Sequence, residues 1–290
     1  MQLTQPIVST QWLAEHLDDP SLRLFDASVY LTVNPDGAGY IVESGHARWM
    51  QEHIPGATFL DMREDFCDTS NPVPMSRPSA EHFAQKCGKH GIGPGTAVVI
   101  YAGQTMMWSA RMWWLLRTAG FTNAAILDGG LEKWQREGRP MSSQARPYAP
   151  ATFTAGQNPA MWADKKDVLR AIHNPAVCTI NALQPDIYDG QINRYGREGH
   201  IPGSHNVYYN SLLDPESGTY LPLEELRQKF DAAGPFDRRT VLYCGGGVSA
   251  CLDAIALTML GHEDLAVYDG SMFEWCMDPA LPLVSGAEPG

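Results

Sequence analysis

The sequence has no Cys-x-x-Cys pair, and none of its six cysteines, Cys67, Cys87, Cys178, Cys244, Cys251 and Cys276, clusters with nearby histidines. That argues against a zinc site. No apolar run approaches bilayer length, and the first residues, Met1-Gln-Leu-Thr-Gln-Pro6, form neither a basic nor an apolar export segment. Positive charge is also short: 21 Lys and Arg stand against 33 Asp and Glu, a formal charge of −12, which argues against a surface built for nucleic acid while leaving room for a local basic pocket. The expectation is a soluble cytoplasmic protein with no metal, cofactor or membrane partner, whose cysteines act mostly as small buried hydrophobes.

What is present is length and periodicity. With 290 residues and 44% hydrophobic content there is room for two cores. Helical spacing over 10–17, 79–90 and 109–119 alternates with apolar runs over 22–27, 97–101 and 124–127, while 34–45 reads as a polar, Gly-rich excursion. Such alternation predicts α/β units on a mainly parallel sheet. The pattern then returns. Glu52-His-Ile-Pro-Gly-Ala57 reappears as Gly199-His-Ile-Pro-Gly-Ser204, Val98-Val-Ile-Tyr-Ala-Gly103 as Thr240-Val-Leu-Tyr-Cys-Gly245, and Ala125-Ile-Leu-Asp-Gly-Gly130 as Ala266-Val-Tyr-Asp-Gly-Ser271. Two copies of this length are two domains, not a solenoid. The expected division is 1–140, a Pro-, Ser- and Gly-containing linker over 141–159, and 160–290.

The copies differ at one chemically loaded place. Cys244 follows an apolar strand, leads into Gly245, Gly246, Gly247, Val248 and Ser249, and precedes a helix; its counterpart is Ala102. Three glycines carry an entropic cost, and core packing alone would not require them. Loop amides and a helix N-terminus can together stabilise a thiolate or a bound anion. Cys244 is therefore the candidate nucleophile, residues 245–249 are its cradle, and Ser249 either adds a hydroxyl donor or caps the helix.

With these motifs in hand, the chain resembles the tandem-domain sulfurtransferases of the rhodanese family. Its Cys244-Gly-Gly-Gly-Val-Ser249 loop looks closest to the Cys-Gly-Ser-Gly-Val-Thr loop of 3-mercaptopyruvate sulfurtransferases. The resemblance implies two domains, each a five-stranded, mainly parallel sheet flanked by helices, with catalysis in the second copy only. It also implies transfer of sulfane sulfur from 3-mercaptopyruvate or thiosulfate, through a Cys244 persulfide, to a thiol, cyanide or protein acceptor. The family's related phosphatases carry an arginine six positions after the cysteine; Ala250 stands there, which disfavours that reading.

Departures from the family concern the substrate side. Gly246 occupies the place of a relay serine and Met75 that of its histidine, although Asp61 is retained. Ile187 falls where a substrate arginine is expected. Arg194 and Arg197 are the candidates to replace it, since a guanidinium fork suits carboxylate or sulfonate; the alternative is two solvated loop arginines. His53 and His200 read as turn-stabilising, because the copy without the cysteine keeps its histidine. Met106, Met107 and Trp108 either wall the Cys244 site or fill a core. The missing relay also keeps a second hypothesis open, a sulfur-carrier or regulatory module loaded by a partner protein.

Overall fold

The computed structural model describes residues 1–35, 39–233 and 238–290. The first half runs β1 (Ile7–Val8), α1 (Thr10–His16), β2 (Leu22–Asp26), β3 (Val29–Val33), β4 (Tyr40–Ser44), α2 (His46–Gln51), β5 (Thr58–Phe59), α3 (Ala80–Lys89), β6 (Ala97–Tyr101), α4 (Met107–Thr118), β7 (Ala124–Leu127) and α5 (Gly130–Arg136). The second half runs β8 (Trp162–Ala163), α6 (Lys165–Ala171), β9 (Val177–Asn181), α7 (Pro185–Tyr188), β10 (Ser204–Asn206), α8 (Leu223–Ala233), β11 (Arg239–Tyr243), α9 (Ala250–Met259), β12 (Leu265–Tyr268) and α10 (Ser271–Met277).

The strands form two five-stranded sheets of matching order, β1-β7-β6-β2-β5 and β8-β12-β11-β9-β10. Every pairing within them is parallel. The central strand β6, Ala97-Val-Val-Ile-Tyr101, is buried throughout, as a strand covered by helices on both faces must be. The duplication read from the sequence is thus a duplication of topology. One element departs from that reading: Tyr40–Ser44 is a strand, pairing antiparallel with β3 from Val29↔Ser44 to Val33↔Tyr40. Residues 36–38 of the same excursion lie outside the described residues.

Helices α4 and α9 pack against each other across the two halves. In α4 every residue except Arg117 is buried, and in α9 Ala250 through Leu257 are. Helices buried on nearly every side belong in a shared interior, so these two form the seam. The core reading of Met112, Trp113 and Trp114 holds. Met107 and Trp108 begin α4 two residues before the expected start, and the Met106 sulfur accepts the Gly129 N–H at 3.1 Å. That segment is therefore the start of a helix and its approach, and Met106 borders a cleft shared with Asn210 and Leu213 of the second half.

The connecting segment is bound along its length. His53 and Ser142 exchange backbone hydrogen bonds of 2.8 and 2.9 Å, the Tyr148 hydroxyl donates to Gly56 O at 2.9 Å, and Gly156 N–H donates to Ala119 O at 2.7 Å. A stretch expected as a linker is a strap on the first half. The C-terminal tail does the same for the second half through His200 and Val284. Both histidines are fully buried. The His53 ring contacts Trp49 O and Gln144 O, and the His200 ring contacts Tyr188 O and stacks on Tyr188 at 3.6 Å. These contacts hold turns, as the sequence reading expects.

Equivalent positions at the ends of β2 and β9 carry Asp26 and Asn181, whose side-chain oxygens accept the N–H groups of Ser28 and Leu183 at 2.8 and 2.7 Å. Burial raises the Asp26 carboxyl to about 6, while the hydrogen bonds from Ser28 and Tyr101 oppose the rise. Because the folded value lies above the unfolded one, the contribution of Asp26 to stability is complete below about pH 4 and is lost as pH rises through about 6. Asp26→Asn, copying the second half, should therefore stabilise the protein at about pH 8 by up to about 3 kcal/mol. The gain should vanish near pH 4, as read by urea unfolding at the two pH values.

Candidate active site

Tyr243 ends β11 and is pinned there, its hydroxyl accepting Ile201 N–H at 3.1 Å and sharing a 2.7 Å hydrogen bond with Ser204 Oγ. The next residue, Cys244, is only 2% exposed. The chain then crosses five residues to reach α9. A Cβ on Gly245 would stand 2.2 Å from the Tyr195 hydroxyl oxygen, so any larger residue would have to displace that ring. Gly247 takes φ +68° with Asp269 O only 2.8 Å from where a Cβ would lie, so it must be glycine.

The loop's hydrogen bonds follow a rule set by peptide planarity. In a trans peptide the carbonyl and the following N–H point in opposite directions. Cys244 O accepts Met272 N–H at 3.0 Å, and Gly245 O accepts Phe273 N–H at 2.8 Å. Gly247 O accepts Arg111 Nη1 at 3.1 Å and the Cys251 thiol at 3.2 Å. Val248 O and Ser249 O accept the N–H groups of Cys251 and Leu252 at 3.1 and 2.9 Å. Each anchored carbonyl turns the next N–H to the other side of the loop. Those are the N–H groups of Gly245, Gly246, Val248, Ser249 and Ala250, and among the described residues none of them has a backbone or side-chain acceptor. Five free amides beside a buried thiol, at the positive end of α9, form an anion nest.

Gly247 departs from the expected cradle, because its N–H turns outward to Ser271 Oγ at 3.0 Å. Ser271 Oγ also accepts Cys244 N–H at 3.1 Å and donates to Tyr268 O at 2.7 Å, which uses the full capacity of a hydroxyl. Ser271 holds φ 49°, a left-handed conformation costly for any residue with a Cβ. Its counterpart is Gly130, at φ 59°. The cysteine-bearing copy alone accepts that cost, for a hydroxyl that ties the start of the loop to its middle. Ser249 makes no side-chain cap on α9, so the capping alternative is excluded.

Arg111 was not singled out from the sequence. It rises from α4, is 2% exposed, and spans three acceptors: Gly247 O, Met75 O at 3.1 Å and Asp269 Oδ1 at 2.5 Å. Asp269 Oδ2 in turn accepts Arg77 N–H at 2.9 Å. Burial opposes the guanidinium charge, but Asp269 beside it carries the balance upward and keeps it ionised. Met75, in the place of a relay histidine, thus contributes its carbonyl. A signal for both residues existed in the repeat, which aligns Ser271 with Gly130 and Arg111 with Cys251.

Tyr195 packs edge-on against Phe273 at 4.9 Å over the loop. Burial pushes the phenols of Tyr40, Tyr195 and Tyr209 upward, and charge on Cys244 adds to each. Arg194 joins this group: its guanidinium carbon lies 5.2 Å from the Tyr40 ring centre, Nη1 reaches Gly39 O at 3.4 Å, and buried Nε has no partner. Arg197 is elsewhere, with Nη1 and Nη2 on Asp278 O and Leu281 O at 3.0 and 2.9 Å, so its fork is occupied. Asp61 is likewise engaged locally, its Oδ1 accepting the N–H groups of Arg63 and Glu64 at 3.0 and 3.1 Å. Ile187 is buried. Among the described residues no cluster of His, Cys, Asp and Glu could hold a metal.

Comparison with known proteins follows the same lines. A rhodanese-like domain profile matches residues 9–137 and 180–278. Human 3-mercaptopyruvate sulfurtransferase is 35% identical over 95% of this chain and 93% of its own length. Thiosulfate sulfurtransferase from Rattus norvegicus is 34% identical over 94% and 92%. Among solved structures, SseA from Escherichia coli, described as a 3-mercaptopyruvate sulfotransferase with the rhodanese fold, aligns with a TM-score of 0.81 at 30% identity, covering 92% of this chain and 99% of that one.

Ser271→Gly preserves the left-handed backbone and deletes only the hydroxyl. Its stability should change by no more than about 1 kcal/mol, since relieved strain offsets lost hydrogen bonds. Alkylation of Cys244 by iodoacetamide, followed by peptide mass spectrometry, should slow by about tenfold, the equivalent of roughly 1.4 kcal/mol.

Proposed function

The chain belongs to the rhodanese family, and from that premise we propose that it is a sulfurtransferase carrying sulfane sulfur as a persulfide on Cys244. The observation that carries this reading is the set of five unpaired amides around a cysteine that the duplicated half replaces with Ala102. In the first half-reaction the Cys244 thiolate attacks the outer sulfur of the donor. Thiosulfate then yields enzyme persulfide and sulfite, with the S–S bond electrons leaving on sulfite. With 3-mercaptopyruvate the C–S electrons leave as the pyruvate enolate, which takes up a proton. In the second half-reaction a thiol or cyanide takes the outer sulfur, giving a new persulfide or thiocyanate and restoring the thiolate. This is covalent catalysis in two halves, with ping-pong kinetics.

The amides of Gly245, Gly246, Val248, Ser249 and Ala250 face the outer sulfur and stabilise its charge without reorganising. Arg194 receives the donor's anionic end, its unpaired Nε being the donor group that lacks a partner. Arg197 and Asp61 have structural roles. No hydroxyl at Gly246 relays a proton to an enolate, which favours a donor whose leaving group needs none. We place the first domain at 1–140 and the second at 160–290, joined by the 141–159 strap, and the protein in the cytoplasm, where its free cysteines stay reduced.

The test is intact mass after incubation with thiosulfate, with 3-mercaptopyruvate and with neither. One added sulfur that is lost to cyanide and absent in Cys244→Ser is expected. No added sulfur from either donor would count against both substrates. Arg194→Ala should raise the KM for the donor by about tenfold with a smaller effect on kcat, the mark of lost ground-state binding. An unchanged KM would remove Arg194 from the site.

A further inference from the structure

We infer that Arg111, supplied by the first domain, is a positioning residue for the second domain's loop: by holding Gly247 O it aims the Val248 N–H at the transferred sulfur. The inference rests on the persulfide reading above. Of the five loop carbonyls that are anchored, four are held by backbone N–H groups of α9 or α10; Gly247 O is held by side chains, Arg111 Nη1 and the Cys251 thiol. A thiol is a weak donor, so the guanidinium sets this carbonyl. The orientation needs setting here more than elsewhere, because Gly247 sits at φ +68° and its own N–H is turned out to Ser271. It is the point where the loop reverses the side its amides face.

The arginine is itself fixed from four directions. Met75 O and Asp269 Oδ1 hold Nη2, Gly247 O holds Nη1, and the Trp162 ring lies 5.1 Å from the guanidinium carbon. A planar fork satisfies this arrangement and an ammonium does not. The duplicated copy supplies the contrast. There Cys251 stands at the position of Arg111, and Asp128, the counterpart of Asp269, accepts Tyr220 N–H but has no arginine; burial lifts its carboxyl to about 6. The arginine appears only where a loop faces a nucleophile. The non-catalytic domain therefore completes the catalytic one.

Arg111→Lys and Arg111→Met separate positioning from stability when set beside Leu116→Ala, a cavity at a buried residue five positions further along the same helix. The full-length variants are compared at matched thermal stability. In Arg111→Lys, kcat should fall by about tenfold to a hundredfold with donor KM within about twofold, because the amide acts on charge that develops during transfer. Leu116→Ala should keep its kcat. A donor-independent arm is the iodoacetamide alkylation rate of Cys244 at neutral pH, expected to drop by about fivefold or more in both Arg111 variants and not in Leu116→Ala. Folded Arg111 variants with wild-type kcat and alkylation rate, or a loss confined to KM, would overturn the inference. If wild-type protein takes no sulfur from any donor, the persulfide reading fails, and the alkylation rates alone still decide whether Arg111 orders the loop. Should Arg111→Met not fold, the lysine variant carries the comparison.

Discussion

A planar peptide cannot turn its carbonyl outward without turning the next N–H inward, and the loop between β11 and α9 depends on that constraint. Every anchored carbonyl from Cys244 to Ser249 leaves a free amide one residue later. The carbonyl partners come from the starts of α9 and α10 and from α4 of the other domain, so the nest is a product of tertiary packing. Glycine serves two separate needs within it: room beneath Tyr195 at Gly245, and a left-handed turn at Gly247. A nest assembled this way is rigid before sulfur arrives, which is the condition for amides to stabilise charge strongly.

Duplication gives the two halves one scaffold on which they differ at a few positions. The sheets share an order, the His-Ile-Pro-Gly turns share their tyrosine pins, and Trp134 and Trp275 donate to Pro140 O and Pro282 O at 2.8 and 2.9 Å. Against that common background, three exchanges stand out: Ala102 for Cys244, Gly130 for Ser271, and Arg111 for Cys251. The first sets the proposed nucleophile in the second half alone. The second adds a hydroxyl at a strained position, and the third sends a cation across the seam. Each is a local cost accepted where function needs it.

Much of this was legible in the sequence. Period and repetition gave the α/β class, the two copies and the asymmetric cysteine, because burial on both sheet faces and tight turns leave marks in adjacent residues. The β3–β4 hairpin was obscured by polar and glycine residues around its turn. The split among the loop amides could not be read, since it depends on Ser271 and Arg111, separated from Cys244 by 27 residues and by a domain boundary. Arg194 and Arg197 looked equivalent, and only packing shows one fork occupied by carbonyls and the other with Nε unpaired. Long-range partners are what a single sequence conceals, although the internal repeat holds a trace of both missed residues.

The most direct test is a crystal structure of the sulfur-loaded protein. The account predicts the outer sulfur on the concave side of the loop, within roughly 3.2–3.7 Å of several nitrogens among Gly245, Gly246, Val248, Ser249 and Ala250, distances usual for N–H donors to the larger sulfur atom. The Gly247 N–H should remain on Ser271 Oγ, and Arg111 on Gly247 O. A sulfur held mainly by side chains, or a loop in which Gly247 turns its N–H inward and Arg111 releases the carbonyl, would contradict it.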